Sequence, residues 1–451
     1  MTDVHDLLAR TRQALGDGVT LDDARHDALF TGIRRRRRRR HAAEVLGVSA
    51  LVLVLAAGGW AGLSRDATPQ PAQSTSPTPS PVPTPDADAA PQPAPDAPGL
   101  LPALVMPPGT LEASTPGWVL TVQQPRTPSQ TGDGSFTTTA HVVDTVAPDG
   151  TRYRVVNLPL EPAVDLVRWD AGTTEALVTT YAEDERAVER LDLLTGDLVP
   201  LAGLAGVSEH VGRTPAGLDV WIGATESELL VHDGSAVVRD LPFVRGPVLE
   251  PSGARVAGTL DGVVVTVDVA TGEVTEVAPP TDVDCQVLAW HGADLVVWCL
   301  GWEGSAPVST EVFRIAADGS DVEGESLGLP VDRLPAQRAL PLADGRLAVQ
   351  HSFDVECTRG WGLLDAEAGT LQDVPLDVAG VPAGEASVRV QGVAGDVVLL
   401  TVGDACSGGD GTLRVLRYDV TTGAQTQVAG PPSDATADTP LDATTSTILA
   451  H

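Results

Sequence analysis

The chain has 451 residues, too many for one ordinary hydrophobic core and suited to a repeat array with appendages. It carries 61 acidic residues against 29 basic ones, all of them arginine, for a net charge of -32. So acidic a chain repels nucleic acid and excludes it as a partner, and its surface charge favours a soluble monomer. The charge reads as a solvated surface, because the acidic stretch from Asp318 to Glu325 lacks the alternating ligand spacing of a calcium loop.

The charge changes sign along the chain. Residues 1–41 hold ten arginines against six aspartates, whereas everything from Ser64 onward carries 19 arginines against 54 acids. Between them lies an apolar span, residues 45–63, that contains no charge. As a helix it is about 28 Å long, which matches a bilayer core of roughly 30 Å. Seven arginines, Arg34 to Arg40, precede it and only Arg65 follows closely. By the positive-inside rule this pattern predicts a single-pass transmembrane helix over residues 42–64, with the N-terminus in the cytoplasm and the rest outside the cell. The lipid bilayer is then a partner through residues 45–63. A cleaved signal peptide is the weaker alternative, since the apolar run is long and lacks a clear small-x-small cleavage site.

The cytoplasmic piece, residues 1–41, has room for two short helices, over residues 3–15 and 21–30, before the Arg run. It is too small for a core of its own and suits docking to a regulator or to the membrane. Residues 65–100 form a linker. Within it, residues 67–99 contain 11 prolines among Ser, Thr, Gln, Ala and Asp, a composition that favours disordered, extended polyproline II and a plausible O-glycosylated stalk.

From residue 101 the texture becomes all-β. Short Val- and Leu-rich runs alternate with turns, and seven turns share a form: Asp149-Gly150, Thr195-Gly196, Asp233-Gly234, Thr271-Gly272, Asp318-Gly319, Ala368-Gly369 and Thr422-Gly423. Their glycines are 46, 38, 38, 47, 50 and 54 residues apart. A period of this size in β texture predicts a β-propeller with four strands per blade, seven blades in all, with six or eight as alternatives. In one blade the expected strands are residues 247–249, 255–259, 263–269 and 273–277. The first blade lacks an inner strand, and a candidate remains after the last turn, residues 445–450. That strand is expected to close the ring.

Two elements carry a family resemblance: the run Pro251-Ser252-Gly253-Ala254-Arg255-Val256-Ala257, and the D-x-x-T-G hairpins Asp268 to Gly272 and Asp419 to Gly423. They resemble the repeats of TolB-like propellers, and the resemblance spans residues 117–451. It implies the fold and says almost nothing of activity. With the N-terminal organisation it resembles a single-pass membrane protein of actinobacterial type, as does arginine without lysine. Quinoprotein propellers place a Trp four residues after this Gly. Pro200, Glu276 and Gln427 stand there, so no quinone cofactor is expected, nor any other cofactor or metal.

The four cysteines, Cys285, Cys299, Cys357 and Cys406, all lie in the exported part. An even count outside the cell predicts two disulfides. Of the three pairings, Cys285–Cys299 and Cys357–Cys406 are expected, because the first two flank Gly292 symmetrically and the other two fall in consecutive loops. No histidine has a serine or cysteine partner at a catalytic spacing, and no G-x-S-x-G, P-loop or H-E-x-x-H occurs. Most tryptophans at strand positions suit inter-blade packing. Trp302 and Trp361, near the cysteines, are the candidates for an exposed binding face.

These features predict a membrane-anchored cell-surface propeller that binds a ligand or a protein, or senses one. One alternative is an extracytoplasmic hydrolase or lactonase with a funnel active site. Another is transmembrane signalling through the cytoplasmic segment.

Overall fold

A hairpin that repeats with a glycine turn buries both faces when copies stack radially. The computed structural model shows that arrangement. It describes residues 91–95 and 100–451, apart from 129–135, 139, 183–184, 225–227, 278–283, 304–305, 321–323, 330–338, 353–358, 378–385, 405–413 and 431–444. The expected cytoplasmic helices and the apolar span lie outside the described residues. Among the described residues no helix is long and apolar enough to cross a membrane.

Every regular element among the described residues is a strand, and the strands form seven four-stranded blades, one of them with an added fifth strand. Blade four shows the pattern: Arg245–Leu249 innermost, then Arg255–Leu260, Val263–Asp268 and Val274–Glu276 outermost, antiparallel throughout. The expected boundaries hold to within two residues. Blades six and seven touch through one parallel pairing, Arg359 with Ser387.

The ring closes as expected. Thr445–Leu449 supplies the inner strand of blade one and pairs antiparallel with Val119–Gln123, Leu120 opposite Ile448. The third strand of this blade is His141–Val146, while Phe136–Thr138 folds back on Arg126–Pro128 as a separate hairpin. The blade also gains an outermost strand, Leu104–Val105, parallel to Arg152–Leu158. Pro93 bridges to Leu104, and Ala94 and Leu100 are buried, so the end of the Pro-rich segment docks on the outer edge of blade one.

Among the described residues seven apolar clusters form, one in each gap between neighbouring blades. Four fully buried tryptophans each occupy a different gap: Trp169, Trp221, Trp290 and Trp361. Fully burying one large apolar side chain contributes about 1.5–3 kcal/mol, so these gaps are the main source of cohesion.

All seven predicted glycine turns join the third strand of a blade to the fourth, and all seven glycines have φ between 62° and 91°. The aspartates of these turns are caps. In the longer turns Asp268 accepts from the Thr271 amide at 2.7 Å, and Asp419 from the Thr422 amide at 2.8 Å. In the shorter form Asp233 accepts from Ser235 and Ala236. These bonds favour the ionised carboxylate, which holds Asp233 at about 2.

Candidate functional site

Each inner strand runs from the loop that leaves the previous blade down to its own first hairpin turn. The starts of the inner strands therefore ring one mouth of the central channel, on the face that also carries the loops between second and third strands. Alternation decides what points inward there. Val388 and Cys285 are buried in blade walls, while their neighbours Arg389 and Gln286 are exposed.

Five inner strands break register midway, between Leu166 and Arg168, His210 and Gly212, Arg245 and Val248, Val287 and Ala289, and Val390 and Gly392. A β-bulge re-aims the side chains around it. Val167 and Gln391, at two of these bulges, line the channel.

Two cavities open along the channel. The larger, about 580 Å³, lies between blades one, two, six and seven, and its polar lining is Asp165, Arg389, Gln391, Ser446 and Thr447. The smaller, about 410 Å³, lies between blades three, four and five and is lined by Ser208, Glu209, Arg245 and Gln286 with Phe243. Each thus holds one carboxylate, one guanidinium, one carboxamide and one serine hydroxyl. Among the described residues neither Arg245 nor Arg389 makes an ion pair. Tyr181 hydrogen-bonds to Asp165; burial pushes its phenol up, the Asp165 carboxylate adds to that, and Arg186 opposes it. The Ser446 hydroxyl accepts from the Leu166 amide at 2.7 Å, tying the closing strand to blade two.

The disulfide Cys285–Cys299 is present as expected. The two residues lie directly opposite each other on the first two strands of blade five, next to Gln286 opposite Trp298. The bridge fixes the start of the inner strand, hence Gln286. It also clamps the base of the long hairpin Asp294–Glu303/Ala306–Ala316, which continues beyond the inner strand. Cys357 and Cys406 lie outside the described residues, and with them their expected pairing.

The two tryptophans expected on a binding face fare differently. Trp361 is 2% exposed, on the third strand of blade six, edge-on to Tyr418 of blade seven at 5.0 Å between ring centroids. It is a packing residue, because a strand position with apolar neighbours on both blades leaves the indole no route to solvent. Trp302 lies on the second strand of blade five, its side chain outside the described residues.

The opposite mouth carries a denser charge network. Arg168 pairs with Asp219 and, at 3.3 Å, with Asp170; Arg213 reaches Asp170 at 2.6 Å, and His210 meets Asp219 at 3.1 Å. Each of these charges has a partner, so the network ties blade two to blade three. His141 and His232 also lie outside the linings of the channel cavities. His141 meets the Leu160 carbonyl, and His232 meets the Ala202 carbonyl and accepts from the Gly234 amide. Among the described residues no three His, Cys, Asp or Glu side chains gather as a metal site.

No protein-family model and no curated protein matches this sequence. Solved propeller structures align at low identity. TolB from Acinetobacter baumannii is 14% identical over 69% of this chain and 65% of that one, with a TM-score of 0.31. A puromycin hydrolase is 16% identical over 72% of this chain and 55% of that one, with a TM-score of 0.44. The β-propeller domain of the trilobed protease from Pyrococcus furiosus is 11% identical, over 69% and 95%, with a TM-score of 0.45. The chain spans less than two thirds of the first two. The similarity is one of fold.

The channel positions that sequence reading missed are those made by the bulges. Their only local signals are Gly246-Pro247 in blade four and Gly212 and Gly392 in blades three and seven, none of which resembles a motif.

Proposed function

We propose that this chain is a single-pass cell-surface protein whose propeller is a binding module for a small polar ligand, held away from the membrane by the Pro-rich stalk. The observation that carries the binding role is the lining of the two channel cavities. Carboxylate, guanidinium, carboxamide and hydroxyl groups suit recognition by charge and hydrogen bonding. The anchor rests on the uncharged span of residues 45–63 behind seven arginines. The contacts of Pro93, Leu104 and Val105 on the outer edge of blade one support entry of the chain into the propeller at that edge.

Retention of small molecules by the immobilised full chain tests the binding role. Polar compounds from spent growth medium are passed over it, and the retained fraction is read by mass spectrometry. The expected result is a stoichiometric compound eluted unchanged. Retention of nothing would sink the binding reading, and elution of a cleaved product would replace it with hydrolysis. Protease treatment of intact cells tests the orientation: the propeller should be shaved off, leaving the N-terminal segment with the cells.

A further inference from the structure

The larger channel cavity holds two opposite charges that do not pair with each other. Arg389, on the inner strand of blade seven, is exposed and makes no ion pair among the described residues. Asp165, on the inner strand of blade two, is half-buried and accepts the Tyr181 hydroxyl. Blade one stands between those strands. It contributes Ser446, whose hydroxyl accepts from Leu166, and Thr447, which is 7% exposed and whose Oγ1 has no hydrogen-bond partner.

The charges narrow the ligand. A ligand covering this cavity strips water from both the guanidinium and the carboxylate, so a neutral molecule leaves two charges uncompensated. A simple anion meets Asp165 and the field of a chain with net charge -32; a simple cation meets Arg389. A molecule with both charges answers both groups and, being neutral overall, is not repelled. The smaller cavity repeats the set with Glu209, Arg245, Gln286 and Ser208.

We infer that the larger cavity is a site for a zwitterion, an amino acid or short peptide with free termini, its carboxylate on Arg389 and Gln391 and its ammonium on Asp165. The Ser446 hydroxyl then serves the amide groups between. A cavity of about 580 Å³ has room for a few residues. This inference rests on the binding role proposed above and names the ligand class.

The test is calorimetry on the full chain in detergent with three probes: trialanine, N-acetyl-trialanine and trialanine amide. Trialanine should bind, and each capped form should bind about tenfold more weakly, the loss expected when a buried charge-assisted contact is removed. Arg389→Gln should weaken trialanine comparably and make the amide cap cost nothing further; Asp165→Asn should do the same for the acetyl cap. No binding of trialanine, equal binding of a capped form, or cap effects unchanged in the variants would each overturn the inference. The wild-type cap series stands even if a variant fails to fold. Should trialanine fail while the immobilised chain retains some other compound, the ligand class falls and the binding role survives.

Discussion

Blades one and four solve the same packing problem with different materials. Blade four is drawn from one continuous stretch, Arg245 to Glu276, and is held by apolar gaps and local turns. Blade one is drawn from both ends of the propeller, and to its two apolar gaps it adds buried polar pins. Asp144, fully buried on its third strand, faces Arg154 at 2.6 Å and Arg152 at 3.6 Å. Arg152 donates on to the Val428 carbonyl of blade seven, and Arg417 of blade seven donates back to the Gly117 carbonyl at 3.2 Å. A continuous blade gets its register from its hairpins. A closing blade has no hairpin between its inner strand and the next, so register has to come from specific long-range bonds.

That difference is most directly broken by deleting residues 444–451. The deletion removes Leu449, whose burial contributes about 1.5–3 kcal/mol, together with the partly buried Ile448 and a five-residue strand pairing. Domain stabilities are only about 5–15 kcal/mol. The truncated chain should therefore lose its cooperative thermal transition; a melt like that of the full chain would show that the ring does not depend on closure.

Removing Asp144 comes next. Burial pushes its carboxyl up, against the pull of Arg154 and Arg152, so the triad is a strained arrangement. Asp144→Ala strands two partly or wholly buried guanidiniums, and breaking such a pair costs about 3–5 kcal/mol. Denaturant unfolding should show that loss, and a loss under one would mean that the pins add little to closure.

In blade four the matching test is local. Gly253 has φ +72°, and a Cβ there would lie 2.6 Å from Thr214 Cβ and Pro215 Cδ of blade three. Gly253→Ala should cost about 1–3 kcal/mol through overpacking and backbone strain. An unchanged midpoint would show that the two turns give way freely.

The smallest expected effect concerns the glycine turns that all the blades share. Asp149, Asp233 and Asp268 are held below the usual carboxylate range by turn hydrogen bonds, Asp233 at about 2. Their folded-state values lie below the unfolded ones. Their stabilisation is therefore complete above about pH 4 and is lost as pH falls toward 2. Melting temperature should decline across that window, and less steeply in Asp233→Asn; identical slopes would remove these caps from acid sensitivity.

The turns were legible because each one is a local solution. A tight connection needs a positive φ that glycine adopts without strain, and an aspartate cap reaches amides two or three residues on. Seven such signals at regular spacing count the blades, and an unmatched strand at the far end predicts closure. The fate of Trp361 was not legible, because exposure depends on the neighbouring blade that supplies Tyr418. The same holds for the channel. Asp165, Arg389 and Ser446 share one cavity although more than 50 residues separate any two of them in the chain. Their meeting requires the ring to shut and bulges to re-aim the inner strands, and neither condition is written in any one stretch. The sequence by itself determined the repeat, the blade count and the charge division. Only the tertiary structure decided which polar side chains face one another across the axis, because that depends on the sum of seven inter-blade packings and not on the chain's local preferences.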